Sequence, residues 1–113
     1  MKLLTKEILK KLPPLYSQEQ LGGKAVACVK FFTPDSGWTW YITEGSQQDG
    51  DFLMFGLVDG MDKELGYVSL RELESAKGPL GLPIERDLYL QPKTLEEIAP
   101  AMFQDRDKKE GAA

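Results

Sequence analysis

The sequence predicts an α+β fold: a single twisted antiparallel sheet of about five strands, with N-terminal, post-strand-4 and C-terminal helices. Residues 25–68 alternate along the chain with the period of two that is typical of strands. Turn-forming residues interrupt this stretch at hairpin intervals, and no segment between them is long enough for the helices that connect parallel strands. The 113 residues are enough for one domain with its own core. We assign that domain to residues 1–104 and a charged, frayed tail to residues 105–113.

The first half of the chain predicts a helix followed by a hairpin. Residues 4–12 place apolar side chains at helical spacing, and Pro13 and Pro14 end that helix. The apolar run at 25–32 predicts a buried strand, which pairs through the turn at 33–37 with a second strand at 38–44.

The second half of the chain predicts three more strands and two more helices. A polar loop at 45–50 leads to a third strand at 51–58, whose apolar residues on both faces favour a central position. A short fourth strand at 65–68 precedes a helix at 70–76, which the capping box of Ser69 and Glu72 begins. A fifth strand follows at 84–90. A second capping box, at 94–97, begins a helix to about Phe103, in which Pro100 predicts a kink or an early end.

The rarest residue types exclude several classes of function. The chain has no His, so His-based general-base catalysis and His metal ligands are excluded. Its single cysteine excludes an intramolecular disulfide and a thiolate zinc site. Because Cys28 stands in an apolar run, we expect a buried and unreactive thiol. The sequence predicts no cofactor.

The charge distribution argues against nucleic acid as a direct partner. The formal net charge is −4, and residues 51–113 carry 8 basic against 13 acidic groups. Tight binding to DNA or RNA normally needs a basic stripe that releases counterions from the phosphates. The N-terminus lacks the apolar stretch of a signal peptide, and no run approaches the length of a membrane span. We therefore expect a cytoplasmic protein that does not bind a membrane.

Three segments of the sequence resemble a known family: KFFTPDSGWTWY at 30–41, ELGYVSLRELE at 64–74 and GLPIERDL at 81–88. They resemble a bacterial family of short proteins labelled only as a domain of unknown function, whose members are frequently encoded on plasmids, integrative elements and phage-like regions. The resemblance covers most of residues 1–92. It implies an accessory role in a mobile genetic element and carries over no catalytic residue.

Arg86 is the first candidate for a functional side chain. It shares the apolar face of the predicted fifth strand with Ile84 and Leu88, where a guanidinium needs a carboxylate partner. Glu85 and Asp87 point the other way, so we expect the partner among Glu44, Glu64 and Glu72. The alternatives are a structural ion pair and an arginine that anchors a ligand carboxylate or phosphate.

Acidic and aromatic residues form the remaining candidates. Carboxylates can bind Mg²⁺ without any His, and the candidates are Asp35, Glu44, Asp59, Asp62, Glu64, Glu85 and Asp87. Eight of the eleven aromatic residues, Trp38 and Trp40 among them, lie between Phe31 and Tyr67. Packing in the core accounts for most of them. A base-stacking platform is disfavoured because Lys63 is the one basic residue inside that stretch, against seven acids.

These observations predict a non-enzymatic protein-interaction module of a mobile genetic element: a regulator, a transfer accessory or an inhibitor of host defence. We expect it to bind a protein through an acidic and aromatic surface, drawn from Arg86, Glu85, Asp87, Glu64, Glu44, Asp35, Trp38 and Trp40. The alternative is a small, nuclease-like, metal-dependent enzyme that acts on nucleic acid. Three carboxylates converging in a cleft would favour that enzyme.

Overall fold

The predicted antiparallel sheet is the centre of the structure. The computed structural model describes residues 2–104, and the predicted tail at 105–113 lies outside them. The strands are β1 (Val26–Ala27), β2 (Val29–Phe32), β3 (Thr39–Gln48), β4 (Asp51–Asp59), β5 (Lys63–Ser69), β6 (Glu85–Arg86) and β7 (Lys93–Thr94). Five of them form the sheet in the spatial order β5-β4-β3-β2-β6, and β1 pairs with β7 beside it. All the pairings are antiparallel, which confirms the predicted fold class.

Several strand boundaries differ from the prediction. The polar residues 45–48 continue β3 instead of forming a loop, and a two-residue turn at Asp49 and Gly50 then leads into β4. Both turn residues have positive φ, as the tightest hairpin turns require. The predicted strand at 25–32 is interrupted at Cys28, because β1 pairs with β7 whereas β2 pairs with β3. The strand predicted to be central, β4, has a neighbour on both sides, but β3 is the middle strand.

The helices are short, and the two with predicted capping boxes begin at those boxes. The first helix, predicted over 4–12, begins after Thr5, which caps it. Helix α1 covers Lys6–Lys11, α2 covers Leu70–Ser75 and α3 covers Leu95–Ile98. In α2 the Ser69 hydroxyl accepts the backbone N–H of Glu72 at 3.1 Å, which confirms the predicted cap by Ser69. Pro100 ends the predicted C-terminal helix early and begins a second helical segment over 100–104, a position that tolerates a residue without N–H. No helix within residues 2–104 is long and apolar enough to cross a membrane.

The two faces of the sheet pack against different parts of the chain. The core face meets the N-terminal segment and α2, and its buried side chains are Leu3, Leu4, Leu12, Val29, Phe31, Ile42, Met54, Val68, Leu73 and Ile84. The opposite face, which we call the α3 face, packs against α3 and the segment 100–104. Its buried side chains are Ala25, Leu57, Leu95, Ala99 and Phe103. Because side chains alternate along each strand, neighbouring residues normally belong to different faces.

One break in this alternation decides where an acidic side chain points. The pairing of β3 with β4 shifts between Ile42 and Glu44, so that Thr43 is an extra residue in β3. Without this bulge, Glu44 would lie opposite Met54 and point into the apolar core face. With it, Glu44 lies opposite Phe55 and lines a recess on the α3 face.

Candidate functional site

One end of the sheet presents exposed aromatic and acidic side chains together. Trp38 is 41% exposed, and its ring stacks on that of Trp40 with 6.0 Å between centroids. The side chain of Met61, in the turn between β4 and β5, is 93% exposed. A Cβ on Gly60 would lie 2.3 Å from the Trp38 ring, so the turn fits closely against the indole. These contacts hold the ring in place although a large part of its surface meets solvent.

Two carboxylates belong to the same end of the sheet as these apolar side chains. Glu64 lies opposite Val58, which in turn lies opposite Trp40 across the sheet. Asp62 is exposed in the turn, whereas Asp59 pairs with Lys63 in the next row of the ladder and points to the opposite face. We call the set Trp38, Trp40, Met61, Asp62 and Glu64 the acidic–aromatic surface. It contains three of the predicted site residues, Trp38, Trp40 and Glu64, whereas Met61 was not among the predicted ones.

Arg86 has partners other than those expected from the sequence. Its Nη1 donates to the backbone oxygens of Lys2 and of Leu3, the second at 3.0 Å. Glu64 lies on β5, at the opposite edge of the sheet from β6, and Glu44 accepts from a backbone N–H elsewhere. The predicted fifth strand is only two residues long, and Leu88 is exposed. The expectation that residues 84–90 form one strand with a continuous apolar face was therefore wrong.

Glu85 in β6, and Asp87 directly after it, lie at the β6 edge of the sheet. Asp87 Oδ2 is 3.6 Å from Lys30 Nζ, and each of these side chains is about a quarter exposed. The same ammonium lies 5.4 Å from the centroid of the Tyr41 ring. Glu85 pairs with Phe32 across the β2–β6 ladder. The carboxylate of Asp87 thus partly neutralises Lys30.

The side chain of Asp35 holds a distant loop by accepting backbone hydrogen bonds from it. Its Oδ2 accepts the backbone N–H of Leu80 at 2.8 Å and that of Leu82 at 3.5 Å. A Cβ on Gly78 would lie 1.5 Å from Asp35 Oδ1, so only glycine fits there. Asp35 thus joins the turn between β2 and β3 to the proline-bracketed loop that precedes β6.

Glu44 forms the floor of a recess on the α3 face. Its side chain is 2% exposed, and Oε2 accepts the backbone N–H of Tyr16, a residue with a positive φ. The recess has a volume of about 220 Å³ and is lined by Gln18, Glu19, Gly22, Ala25, Thr43, Glu44, Phe55, Leu65 and Leu95. Sequence reasoning named Glu44 but not its neighbours, because only the bulge brings it to this face.

The surroundings of Tyr67 indicate the sign of the electrostatic potential near that recess. Its ring packs against Phe55 with 4.9 Å between centroids, and it is 52% exposed. Desolvation and the neighbouring Tyr16, Glu19 and Glu44 raise the pKa of Tyr67 above its usual value. Deprotonation would add a negative charge beside two carboxylates, so the potential at this position is negative.

The predicted carboxylates are dispersed over the molecule. Asp35 holds a loop, Glu44 lies in the recess, Glu64 lies on β5 and Glu85 lies on β6. Within residues 2–104, no group of three or more Asp, Glu, Cys or His side chains is placed to hold a metal ion. The alternative of a metal-dependent nuclease therefore gains no support from the geometry.

Comparison with known proteins gave one match. Residues 3–100 match the model of a family described as "Protein of unknown function (DUF2958)". Neither the curated proteins nor the solved structures gave a match.

Proposed function

The chain belongs to the DUF2958 family, and because that description assigns no activity, we propose a function from the surfaces: a non-enzymatic module that binds a protein partner. The acidic–aromatic surface is the proposed contact. The accessory role in a mobile genetic element, as a regulator, a transfer accessory or an inhibitor of host defence, is part of the same proposal. It follows from the family resemblance of the sequence.

The exposure of Trp38 and Met61 is the observation that carries this proposal. Large apolar side chains with solvent on one side and a polar border are typical of the centre of a protein interface. Trp38 already stacks on Trp40 and contacts the Gly60 turn, so little side-chain entropy is lost when a partner covers it. Tryptophan is also among the residues that contribute most to binding energy when buried at an interface.

Charge indicates which proteins fit. Asp62 and Glu64 are exposed at the same end of the sheet as the apolar centre, and Lys63 is the single cation in the segment 59–64. A partner with a basic face would associate faster and in a defined orientation. The same carboxylates repel phosphates, so we expect no tight binding to DNA or RNA by the protein alone.

The experiment is affinity capture from the native host with matched variants. Trp38→Ala removes the central ring, and Tyr89→Ala removes a more exposed aromatic side chain outside the surface. We expect a partner that binds wild type and Tyr89→Ala but not Trp38→Ala. With the purified partner, Asp62→Lys should mainly slow association, since charge steers encounter, whereas Glu74→Lys on α2 should not.

Two results would contradict the proposal. One is a partner that is retained equally by the Trp38→Ala and Tyr89→Ala variants, because the contact would then lie elsewhere. The other comes from titrating labelled single- and double-stranded oligonucleotides at near-physiological salt. Saturable sub-micromolar binding, or Mg²⁺-dependent cleavage that disappears on substitution of Asp35, Glu44, Glu64 or Glu85, would establish the nuclease instead.

A further inference from the structure

We propose that the recess around Glu44 binds one cationic side chain, an arginine or a lysine, presented by a protein partner. The protein source of this cation rests on the proposed function. The affinity of the recess for a cation does not, because the recess lies on the α3 face whereas Trp40 of the acidic–aromatic surface packs against the core face.

The floor of the recess is a buried carboxyl group with no cationic partner in the described part of the chain. Glu44 is 2% exposed, yet the salt bridge found within residues 2–104 joins Lys30 and Asp87 and does not involve it. Its one hydrogen bond among the described residues comes from the backbone N–H of Tyr16. Buried carboxylates are normally paired with a cation, since isolation from water is costly. A cation that enters the recess would supply the missing partner.

The dimensions of the recess fit one side chain. Its volume of about 220 Å³ lies below the range of roughly 300–1,000 Å³ that small-molecule pockets occupy. Glu19 stands at the exposed rim, so a cation passes one carboxylate before it reaches the other. Of the nine residues that line the recess none is basic, and nothing there competes with an incoming cation.

Aromatic side chains add to the attraction. Phe55 lines the recess, and the Tyr67 ring packs against it with 4.9 Å between centroids. Ring faces attract ammonium and guanidinium groups, most strongly where water is excluded. Tyr16 and Tyr67 are both about half exposed, which leaves their rings accessible. The raised pKa of Tyr67 agrees with a negative potential at this position.

The recess can be tested with a minimal probe that lacks any other contact. The probe is an N-acetylated, C-amidated Gly-Arg-Gly peptide, titrated into the isotope-labelled full chain and followed through amide NMR shifts. The matched control replaces Arg by citrulline, which has the same shape without the charge. We expect saturable shifts at Thr43, Glu44, Phe55 and Leu65 with the arginine peptide and none with citrulline. The lysine peptide should shift the same amides, because an ammonium supplies the same charge.

Variants then test the carboxylate. Glu44→Gln keeps an acceptor for the Tyr16 N–H and removes the charge, so affinity should fall about tenfold, the cost of one charge-assisted hydrogen bond. Glu74→Gln, on the exposed side of α2, makes the same change in net charge and should bind like wild type. If Glu44→Gln fails to fold, Glu19→Gln and Tyr67→Leu change only exposed side chains and should each weaken binding.

Several results would overturn the inference. Equal shifts with the arginine and citrulline peptides would show that binding does not depend on the charge of the peptide. Unchanged affinity in Glu44→Gln would show that binding does not depend on the carboxylate. Binding of free arginine as tight as that of the peptide would indicate a small-molecule site and not a protein contact. Shifts centred on the Trp38 indole would refute the recess and leave the acidic–aromatic surface intact.

Discussion

Gly56 is a position at which the backbone of the neighbouring strand leaves no room for a side chain. A Cβ added there would lie 1.9 Å from the carbonyl oxygen of Tyr41 and 2.9 Å from the Cα of Ile42. Both atoms belong to the backbone of β3, which cannot rotate out of the way. Gly56→Ala therefore requires β3 and β4 to move apart by more than an ångström, immediately before the bulge that orients Glu44.

The expected loss of stability follows from that separation. Overpacking typically costs about 1–3 kcal/mol, and each lost interstrand hydrogen bond costs about 1 kcal/mol more. We expect Gly56→Ala to lower the free energy of unfolding by about 3–4 kcal/mol, a large part of the roughly 5–15 kcal/mol of a typical domain.

The sheet provides its own control on the adjacent strand. Gly66 lies directly opposite Gly56, and a Cβ there would meet nothing within 4 Å. Gly66→Ala should leave stability unchanged or raise it by up to about 1 kcal/mol, because glycine is unfavourable within a strand. Urea unfolding followed by tryptophan fluorescence measures both variants. Equal unfolding midpoints for the two would refute the close approach at Gly56.

Three further predictions concern single side chains. Burial raises the pKa of the Cys28 thiol, so at neutral pH a disulfide reagent should modify it more slowly than it modifies a cysteine peptide, with the rate recovering in urea. Partial desolvation of Asp51 is outweighed by N–H donation from Phe52 and Arg71, which lowers the pKa of Asp51. Its contribution to stability is complete above the unfolded-state pKa of about 3.9 and is lost as the pH falls through the folded-state value. Asp51→Asn should therefore show a smaller loss of stability on acidification, measured as urea midpoints against pH. Ser69→Ala removes the cap of α2 and should cost about 1 kcal/mol in the same unfolding assay, whereas Ser69→Thr should cost less.

The elements that local chemistry controls could be predicted from the sequence. Ser69 begins α2 because its hydroxyl caps the helix, and Ile42 is buried because the alternation of residues 38–42 places it on the core face. Both features depend on neighbours in the sequence, so no knowledge of the fold is needed. The antiparallel direction of the strands followed from the same alternation and from turns too short for crossovers, whereas the position of β6 beside β2 did not.

The positions that distant contacts decide could not be predicted. The bulge at Thr43 reverses the direction of Glu44, and no residue type in that stretch signals it. Residues 87–90 continue an alternating pattern but leave the sheet, since Asp87 is held by Lys30 and the chain turns towards β7. Two of the partners of Arg86 are backbone oxygens more than 80 positions away, which side-chain types cannot reveal.

That contact between Arg86 and the segment 2–4 has a consequence for the order in which the molecule assembles during synthesis. Leu3 and Leu4 are buried, and the carbonyls of Lys2 and Leu3 are held by a guanidinium that the ribosome delivers more than 80 residues later. The hairpins of β2–β5 are complete in sequence by residue 69 and need only local loop closure. Most of the core cluster that contains Leu3 and Leu4 is also complete by residue 73, so the leucines have a surface to pack against before Arg86 is synthesised. We therefore expect the hydrogen bonds from Arg86 to be among the last contacts that the beginning of the chain gains.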